Sequence, residues 1–128
     1  MLKYVYMELH NLDLPQVGCG KVINTLTRHT KRVNSVKWIK GIDCELELVS
    51  GSADHSAIVW SLAGDEYRSH LLEGHQGSVN VVEALYKDTS ARVPIILTAS
   101  TDSTVKIWTR LHLNGKNKTK YVFLIFVL

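Results

Sequence analysis

The sequence predicts an all-β fold assembled from a repeated sheet unit, and three observations carry that reading. Residues 48–60 read Leu-Val-Ser-Gly-Ser-Ala-Asp-His-Ser-Ala-Ile-Val-Trp, and residues 96–108, at a shift of 48, read Ile-Leu-Thr-Ala-Ser-Thr-Asp-Ser-Thr-Val-Lys-Ile-Trp. Ahead of each block stands a His followed four residues later by Val, at His29 to Val33 and at His75 to Val79, a shift of 46. Hydrophobic residues make up 45% of the 128 positions, which favours a packed core over disorder. They fall in short β-branched runs parted by turn residues. A period in the forties that opens near Gly-His and closes on Trp is the pattern of a β-propeller blade, four strands per repeat.

The elements follow in order. Residues 1–20 have no counterpart in the repeat, and Pro15, Gly18 and Gly20 mark loop. Residues 21–26 are predicted as an outer strand belonging to the unit before the first full repeat. Val33, Val36, Trp38 and Ile39 place the first strand, residues 41–43 a turn, 47–52 the second strand, 53–55 a tight turn and 56–60 the third strand. Gly64 and Asp65 turn the chain into an outer strand at 67–72. The second unit repeats this at 79–86, 94–100 and 104–110, with a polar loop at 87–92 that belongs on a blade rim. Trp38 and Tyr86 read as matched inter-blade packing residues.

After Arg110 the pattern stops. Residues 106–128 hold Lys106, Arg110, Lys116, Lys118 and Lys120 and no acid, and the end of the chain is wholly apolar or aromatic. Residues 111–128 are therefore expected to lie outside the repeat, with pairing inside the chain as the alternative. The repeat region, 21–110, supplies about two blades. A propeller ring takes four to eight. The chain is read as an incomplete propeller, a fragment or truncated form, with open faces and unpaired edges that favour aggregation or dimerisation.

Net charge is +3, too mild to argue for nucleic acid by itself. Two cysteines, Cys19 and Cys44, are too few for a disulfide framework, and a reduced compartment is expected. The opening Met-Leu-Lys-Tyr-Val-Tyr is not the long apolar run of a secretory signal, and the apolar stretch from Tyr121 is too short to span a bilayer. The expectation is a cytoplasmic and nuclear protein with no membrane partner.

Each repeat carries a hydroxyl, a His, an Asp and a Trp: Ser50, His29, Asp54 and Trp60, then Thr98, His75, Asp102 and Trp108. Ser, His and Asp together raise the thought of a hydrolase triad. The set occurs twice at matched spacing, which one active site does not need, and no Gly-x-Ser-x-Gly elbow accompanies it. Trp has no place in such a triad, but its indole N–H is a donor that needs an acceptor when buried. A hydroxyl can accept from indole and donate to imidazole, whose other N–H donates to carboxylate. The predicted role is two structural hydrogen-bond networks. No catalytic residue, cofactor or small-molecule substrate is expected. Gly18-Cys-Gly-Lys21 lacks the Gly and the Ser or Thr of a phosphate loop. His10, Cys19, Cys44, His55, His70 and His112 show no metal-ligand spacing, and the sequon at Asn117 has no secretory context.

These residues resemble those of the WD-repeat family over about residues 21–110. Arg28-His29 stands for the usual Gly-His of the first repeat, and Trp60-Ser61 and Trp108-Thr109 for the usual Trp-Asp. A narrower resemblance, to the first propeller of Elongator subunit 2 proteins, is carried by residues 29–39, 47–54 and 72–79, above all Arg32-Val33-Asn34, Trp38-Ile39 and the long loop after Tyr86. It implies a non-catalytic scaffold whose partners are protein subunits of an Elongator-like complex, which modifies wobble uridines of tRNA and is linked to transcription elongation. By resemblance to the family's partner-contacting positions, Arg32, Asn34, Ala53, Ser78, Asn80 and Thr101 are the candidate contacts. Arg32 leads, because Arg is enriched at interface hot spots. Two alternatives stand beside this: a WD adaptor of a ubiquitin-ligase or chromatin complex, and direct RNA binding, including weak tRNA contact, through Arg28, Lys31, Arg32, Lys37 and Lys40.

Overall fold

The computed structural model describes residues 25–39, 46–63, 66–86, 94–112 and 119–127. They form eight strands: β1 (Val33–Ile39), β2 (Leu46–Ser52), β3 (Ala57–Ala63), β4 (Glu66–Leu72), β5 (Val79–Tyr86), β6 (Pro94–Ser100), β7 (Thr104–His112) and β8 (Thr119–Val127). Each strand pairs antiparallel with the next, giving two four-stranded sheets of order β1-β2-β3-β4 and β5-β6-β7-β8. This is a partial propeller of two blades.

Strand alternation sorts the apolar residues onto two faces. Val49, Ala57 and Val59 pack with Ile39, Leu72, Val79, Val82, Ile96 and Trp108 in a core between the sheets. Leu48, Ile58, Trp60 and Leu62 turn the other way and pack with Leu26. β2 and β3 are thus covered on both faces, and β3 accordingly reads as a nearly continuous apolar run. β5 lies against β1 and β2. Gly51 makes that approach possible: a Cβ there would stand 2.7 Å from Val79 Cγ1 and 2.8 Å from Val82 Cγ1.

The two sheets repeat their irregularities as well as their strands. A register shift lies between Val33 and Ser35 in β1 and between Val79 and Val81 in β5. Such bulges re-aim a side chain, here Asn34 and Asn80. The β2–β3 and β6–β7 turns each hold a non-glycine residue at positive φ, His55 at 73° and Ser103 at 65°. In each turn that residue donates its N–H back to a serine carbonyl, Ser52 at 3.3 Å and Ser100 at 3.2 Å. Both match a turn followed by one left-handed residue, a common three-residue hairpin connection.

Several sequence expectations need correction. Trp38 and Tyr86 are not counterparts: Trp38 pairs with Leu48 and Ala84 with Ile96, whereas Tyr86 pairs with Pro94. The first strands are offset by 46 residues and the later ones by 48, so alignment on one shift misplaces this pair by two. Trp38 is 45% exposed and does not pack between the sheets. The third strand begins at Ala57 and runs to Ala63, and β7 continues to His112. The tail, outside the repeat in sequence, enters it in space: β8 pairs with β7 from Thr104↔Val127 to His112↔Thr119 and takes the outer place that β4 holds in the first sheet. Phe123 rests on Trp108 with ring centroids 4.6 Å apart, as Tyr67 rests on Trp60 at 5.7 Å. Thr25 and Leu26 belong to no strand. The rest of the expected strand at 21–26, residues 1–20, the turns at 41–43 and 64–65 and the loop at 87–92 lie outside the described residues.

Gly51→Ala is expected to cost about 1–3 kcal/mol, since its methyl must displace two buried valines. Denaturant unfolding of the variant checks this; an unchanged midpoint would show that the sheets separate freely.

Candidate functional site

The hydrogen-bond chain foreseen for each repeat is present in both. Trp60 Nε1 donates to Ser50 Oγ at 2.8 Å, and Ser50 Oγ lies 2.7 Å from His29 Nε2. His29 Nδ1 lies 2.8 Å from Asp54 Oδ2. In the second sheet Trp108 reaches Thr98 Oγ1 at 2.8 Å, Thr98 reaches His75 Nε2 at 2.7 Å, and His75 Nδ1 reaches Asp102 Oδ2 at 2.9 Å. The donors fix the tautomer. With indole occupying the hydroxyl as acceptor, the hydroxyl proton goes to Nε2, and Nδ1–H donates to the carboxylate. Ser50 and Thr98 are 0% exposed. The distances are those of a triad, but both hydroxyls are sealed from any substrate and already occupied.

Each carboxylate is held by its own turn. Asp54 accepts from Ser56 Oγ at 2.6 Å, from Ser56 N at 3.0 Å and from Thr30 N at 3.0 Å. Asp102 accepts from Thr104 Oγ1 at 2.6 Å, Thr104 N at 2.9 Å and Gln76 N at 2.9 Å. Burial works against ionisation of Asp54, yet the bonds from Ser56, His29 and Thr30 prevail and lower its pKa to about 2. Asp102 is likewise lowered: burial opposes it, and Thr104, Gln76 and His75 outweigh the burial.

The six candidate contact residues gather at one end of the two sheets. Arg32 and Ser78 immediately precede β1 and β5, and Asn34 and Asn80 sit in the matched bulges. Arg32 Nε donates to Asn34 Oδ1 at 3.0 Å. The Asn34 amide donates across to Ser78 Oγ at 2.9 Å and to the Val79 carbonyl at 3.0 Å, with Asn80 Oδ1 at 3.3 Å. Ser78 Oγ donates to Asn80 Oδ1 at 2.9 Å. Ala53 N–H bonds the Arg32 carbonyl at 2.9 Å and Thr101 N–H the Ser78 carbonyl at 3.0 Å, which brings both turns to the same end. Arg32, Asn80 and Thr101 are exposed; Asn34, Ala53 and Ser78 are half-buried. Asn34 therefore also ties the sheets together.

The basic residues offered for RNA are largely engaged within the chain. Arg28 donates to Ser69 Oγ at 2.7 Å and to its carbonyl at 3.1 Å. Lys37 pairs with Glu83 at 2.9 Å. Lys31 is exposed, and Lys40 lies outside the described residues. Among the described residues no group of His, Cys, Asp and Glu is arranged to hold a metal ion, and no helix is long and apolar enough to cross a membrane.

Two polar features were missed by sequence reasoning. Arg110 Nη2 donates to Glu47 Oε1 of the first sheet at 2.7 Å and to the Tyr121 hydroxyl at 2.8 Å, and Ser61 Oγ donates to the same Glu47 oxygen at 2.8 Å. Burial raises the Tyr121 hydroxyl above its ordinary range and lowers the neighbouring His70, with the Arg110 charge a second cause at His70. Lys106 takes the place that Ile58 holds in the first sheet; it is buried, with its ammonium 4.3 Å from the centre of the Phe123 ring. The only signal for either was a lone charge inside an apolar strand.

The WD domain, G-beta repeat, matches residues 20–61 and 66–109. The chain belongs to the WD-repeat family. Among individual relatives it is 39% identical over 92 residues to Elongator complex protein 2 of Danio rerio, covering 70% of this chain and 11% of that protein. It is 40% identical over 97 residues to Elongator complex protein 2 of Drosophila melanogaster, covering 73% of this chain and 11% of that protein. It is also 39% identical over 75 residues to the Ribosome biogenesis protein WDR12 homolog of Trichoplax adhaerens, covering 56% of this chain and 16% of that one. The chain thus spans about a ninth of the Elongator proteins it matches.

His75→Ala or Asp102→Ala is expected to lower stability by about 1–3 kcal/mol through the partners it leaves unsatisfied. Thermal melts check this, and unchanged melting in either variant would remove the structural role. The lowered Asp54 also sets an acid response. The unfolded carboxyl binds its proton near 3.8 and the folded one only near 2. Its stabilisation is therefore complete above the unfolded value and is lost as pH falls from about 4 towards 2. Asp54→Asn should make that part of the stability curve less steep, leaving the share of the likewise lowered Asp102, measured by unfolding at stepped pH.

Proposed function

We propose that this chain is a non-catalytic protein-interaction scaffold of an Elongator-like complex, serving tRNA wobble-uridine modification and transcription elongation in cytoplasm and nucleus. The observation that carries the proposal is the 39–40% identity to Elongator complex protein 2 over 92 to 97 residues. The geometry supports the non-catalytic part. In each repeat the hydroxyl, imidazole and carboxylate are bonded to one another and to a buried indole, and what faces solvent beside them is a polar rim. That rim holds Arg32 on a platform of amides and hydroxyls, a suitable anchor for a protein surface bearing a carboxylate or a backbone carbonyl.

Affinity capture of the native protein, with mass spectrometry of its companions, tests the proposal. The expected companions are the other subunits of an Elongator-like assembly. Subunits of a ubiquitin-ligase or chromatin complex in their place, or no companions, would overturn it. Arg32→Ala is expected to reduce the captured complex at least about tenfold, the loss of roughly 1.4 kcal/mol at a hot spot. Its melting should stay within about 0.5 kcal/mol of the parent, because the side chain is exposed.

A further inference from the structure

We propose that the tail strand is a latch on the junction between the two sheets. Docking of β8 on β7 sets the Tyr121 hydroxyl against Arg110, and that contact aims the guanidinium across the junction at Glu47. Release of β8 from its own sheet therefore also loosens that sheet from the first. Arg110 and Tyr121 face each other in the β7–β8 register. The phenol oxygen receives two bonds from one guanidinium, from Nε at 3.0 Å and from Nη2 at 2.8 Å. Two donors on one acceptor fix the plane of the fork. Nη2 also donates to Glu47 Oε1 at 2.7 Å, an oxygen that Ser61 Oγ holds from within the first sheet at 2.8 Å. Glu47 is 7% exposed, so its carboxylate has little water to replace the guanidinium if Arg110 turns away. A free arginine side chain samples many rotamers, and the phenol removes that freedom in advance. Burial works against the Arg110 charge, and Tyr121 and Glu47 together outweigh it and raise its pKa. The Tyr121 ring itself packs on the core between the sheets and lies 5.8 Å from the His70 ring of β4.

The first sheet shows an outer strand without this device. Leu62 stands at the place of Arg110, and opposite it Tyr67 stands at the place of Tyr121. Leu62 is buried with Leu26, Leu48, Ile58 and Trp60, an apolar contact that carries no hydrogen bond. At the place of Glu47 stands Ile95, opposite Thr109 as Glu47 is opposite Ser61. The tyrosine thus recurs in both outer strands, whereas the guanidinium and the carboxylate occur once. The latch belongs to this junction and not to the repeat. Coupling of this kind is reciprocal: what Tyr121 adds to the Glu47 contact, Glu47 adds to the docking of β8. The opposite end of the junction has its own ties, the Asn34 bridge and the approach of Gly51 to Val79 and Val82. Release of the latch therefore opens the junction at the Glu47 end.

Hydrogen-exchange mass spectrometry of the full protein tests this, since strand amides exchange through local opening. Tyr121→Phe keeps the ring and removes the oxygen. It should speed exchange at residues 46–48 and 60–62 of the first sheet about tenfold, the loss of a hydrogen bond to a charged group. Residues 33–36 and 50–52, at the far end of the same sheet, should be unchanged. Glu47→Ile installs the residue of the other repeat and should speed exchange across residues 119–127, although Glu47 lies on the first sheet. If that variant loses its β circular-dichroism spectrum, Glu47→Gln serves in its place. In a Glu47→Ile/Arg110→Leu protein both places carry the apolar residues of the other repeat, and Tyr121→Phe should then leave the first sheet unchanged. Four results would each overturn the proposal: an unchanged first sheet in Tyr121→Phe, equal acceleration at both of its ends, an unchanged β8 in the Glu47 variant, or an effect of Tyr121→Phe that survives in the Glu47→Ile/Arg110→Leu protein. None of these readouts depends on which proteins the chain captures.

Discussion

Each sheet is organised by a buried run of four polar groups that can exist only as a set. Indole, hydroxyl, imidazole and carboxylate come from the third strand, the second strand, the approach to the first strand and the hairpin turn. Any one of them buried alone would carry the cost of a donor or acceptor without a partner. Joined, they hold the approach segment, the middle strands and the turn in one geometry. The turn contributes as much as the strands. His55 and Ser103 accept left-handed backbone, and the carboxylates of Asp54 and Asp102 then face the hydroxyl and N–H of Ser56 and Thr104. Those donors keep the carboxylates ionised against burial, which in turn favours the imidazole tautomer the rest of the chain requires.

Coupling between the sheets rests on different chemistry. At the inner end, Gly51 lets β2 approach Val79 and Val82, and the Asn34 amide bridges to Ser78 and Val79. At the outer end, Arg110 spans from Glu47 to the Tyr121 hydroxyl. That outer clasp needs the tail, because Tyr121 lies on β8. A carboxylate and a guanidinium shielded from water would be costly apart; the phenol and Ser61 complete their hydrogen bonding.

What could be read from the sequence was whatever occurs twice. The strands, the turns and both networks recur, at a shift of 46 residues up to the first strand and 48 after it, and polar residues recurring inside apolar runs signal a satisfied network. Glu47 and Lys106 occur once, opposite Ile95 and Ile58 in the other repeat, so nothing in the pattern announced their partners. β8 escaped for another reason. Tyr-Val-Phe-Leu-Ile-Phe-Val is apolar at every position and has no alternation to assign a face, so its β-propensity could be seen but not its place. The Trp38 correspondence failed because connections of unequal length moved the register between the first strand and the second.

The same internal comparison separates structure from recognition. His29 and His75, Asp54 and Asp102, Trp60 and Trp108 are identical pairs, and Ser50 and Thr98 share a hydroxyl; all eight serve the buried networks. Asn34 and Asn80 are identical too, and the Asn34 amide clamps one sheet to the next. At the exposed end the pairs diverge: Arg32 against Ser78, Ala53 against Thr101. Ala53 N–H bonds Arg32 O and Thr101 N–H bonds Ser78 O through the backbone; of the four side chains, the Ser78 hydroxyl alone receives the bond between the sheets, from the Asn34 amide, so the fold sets little requirement on the other three. A position whose backbone is fixed and whose side chain is free can carry partner specificity without disturbing the sheet. Arg32 fits that description most fully, since its guanidinium extends over the Asn34 bridge at the junction of the two blades, where a single partner group can touch both.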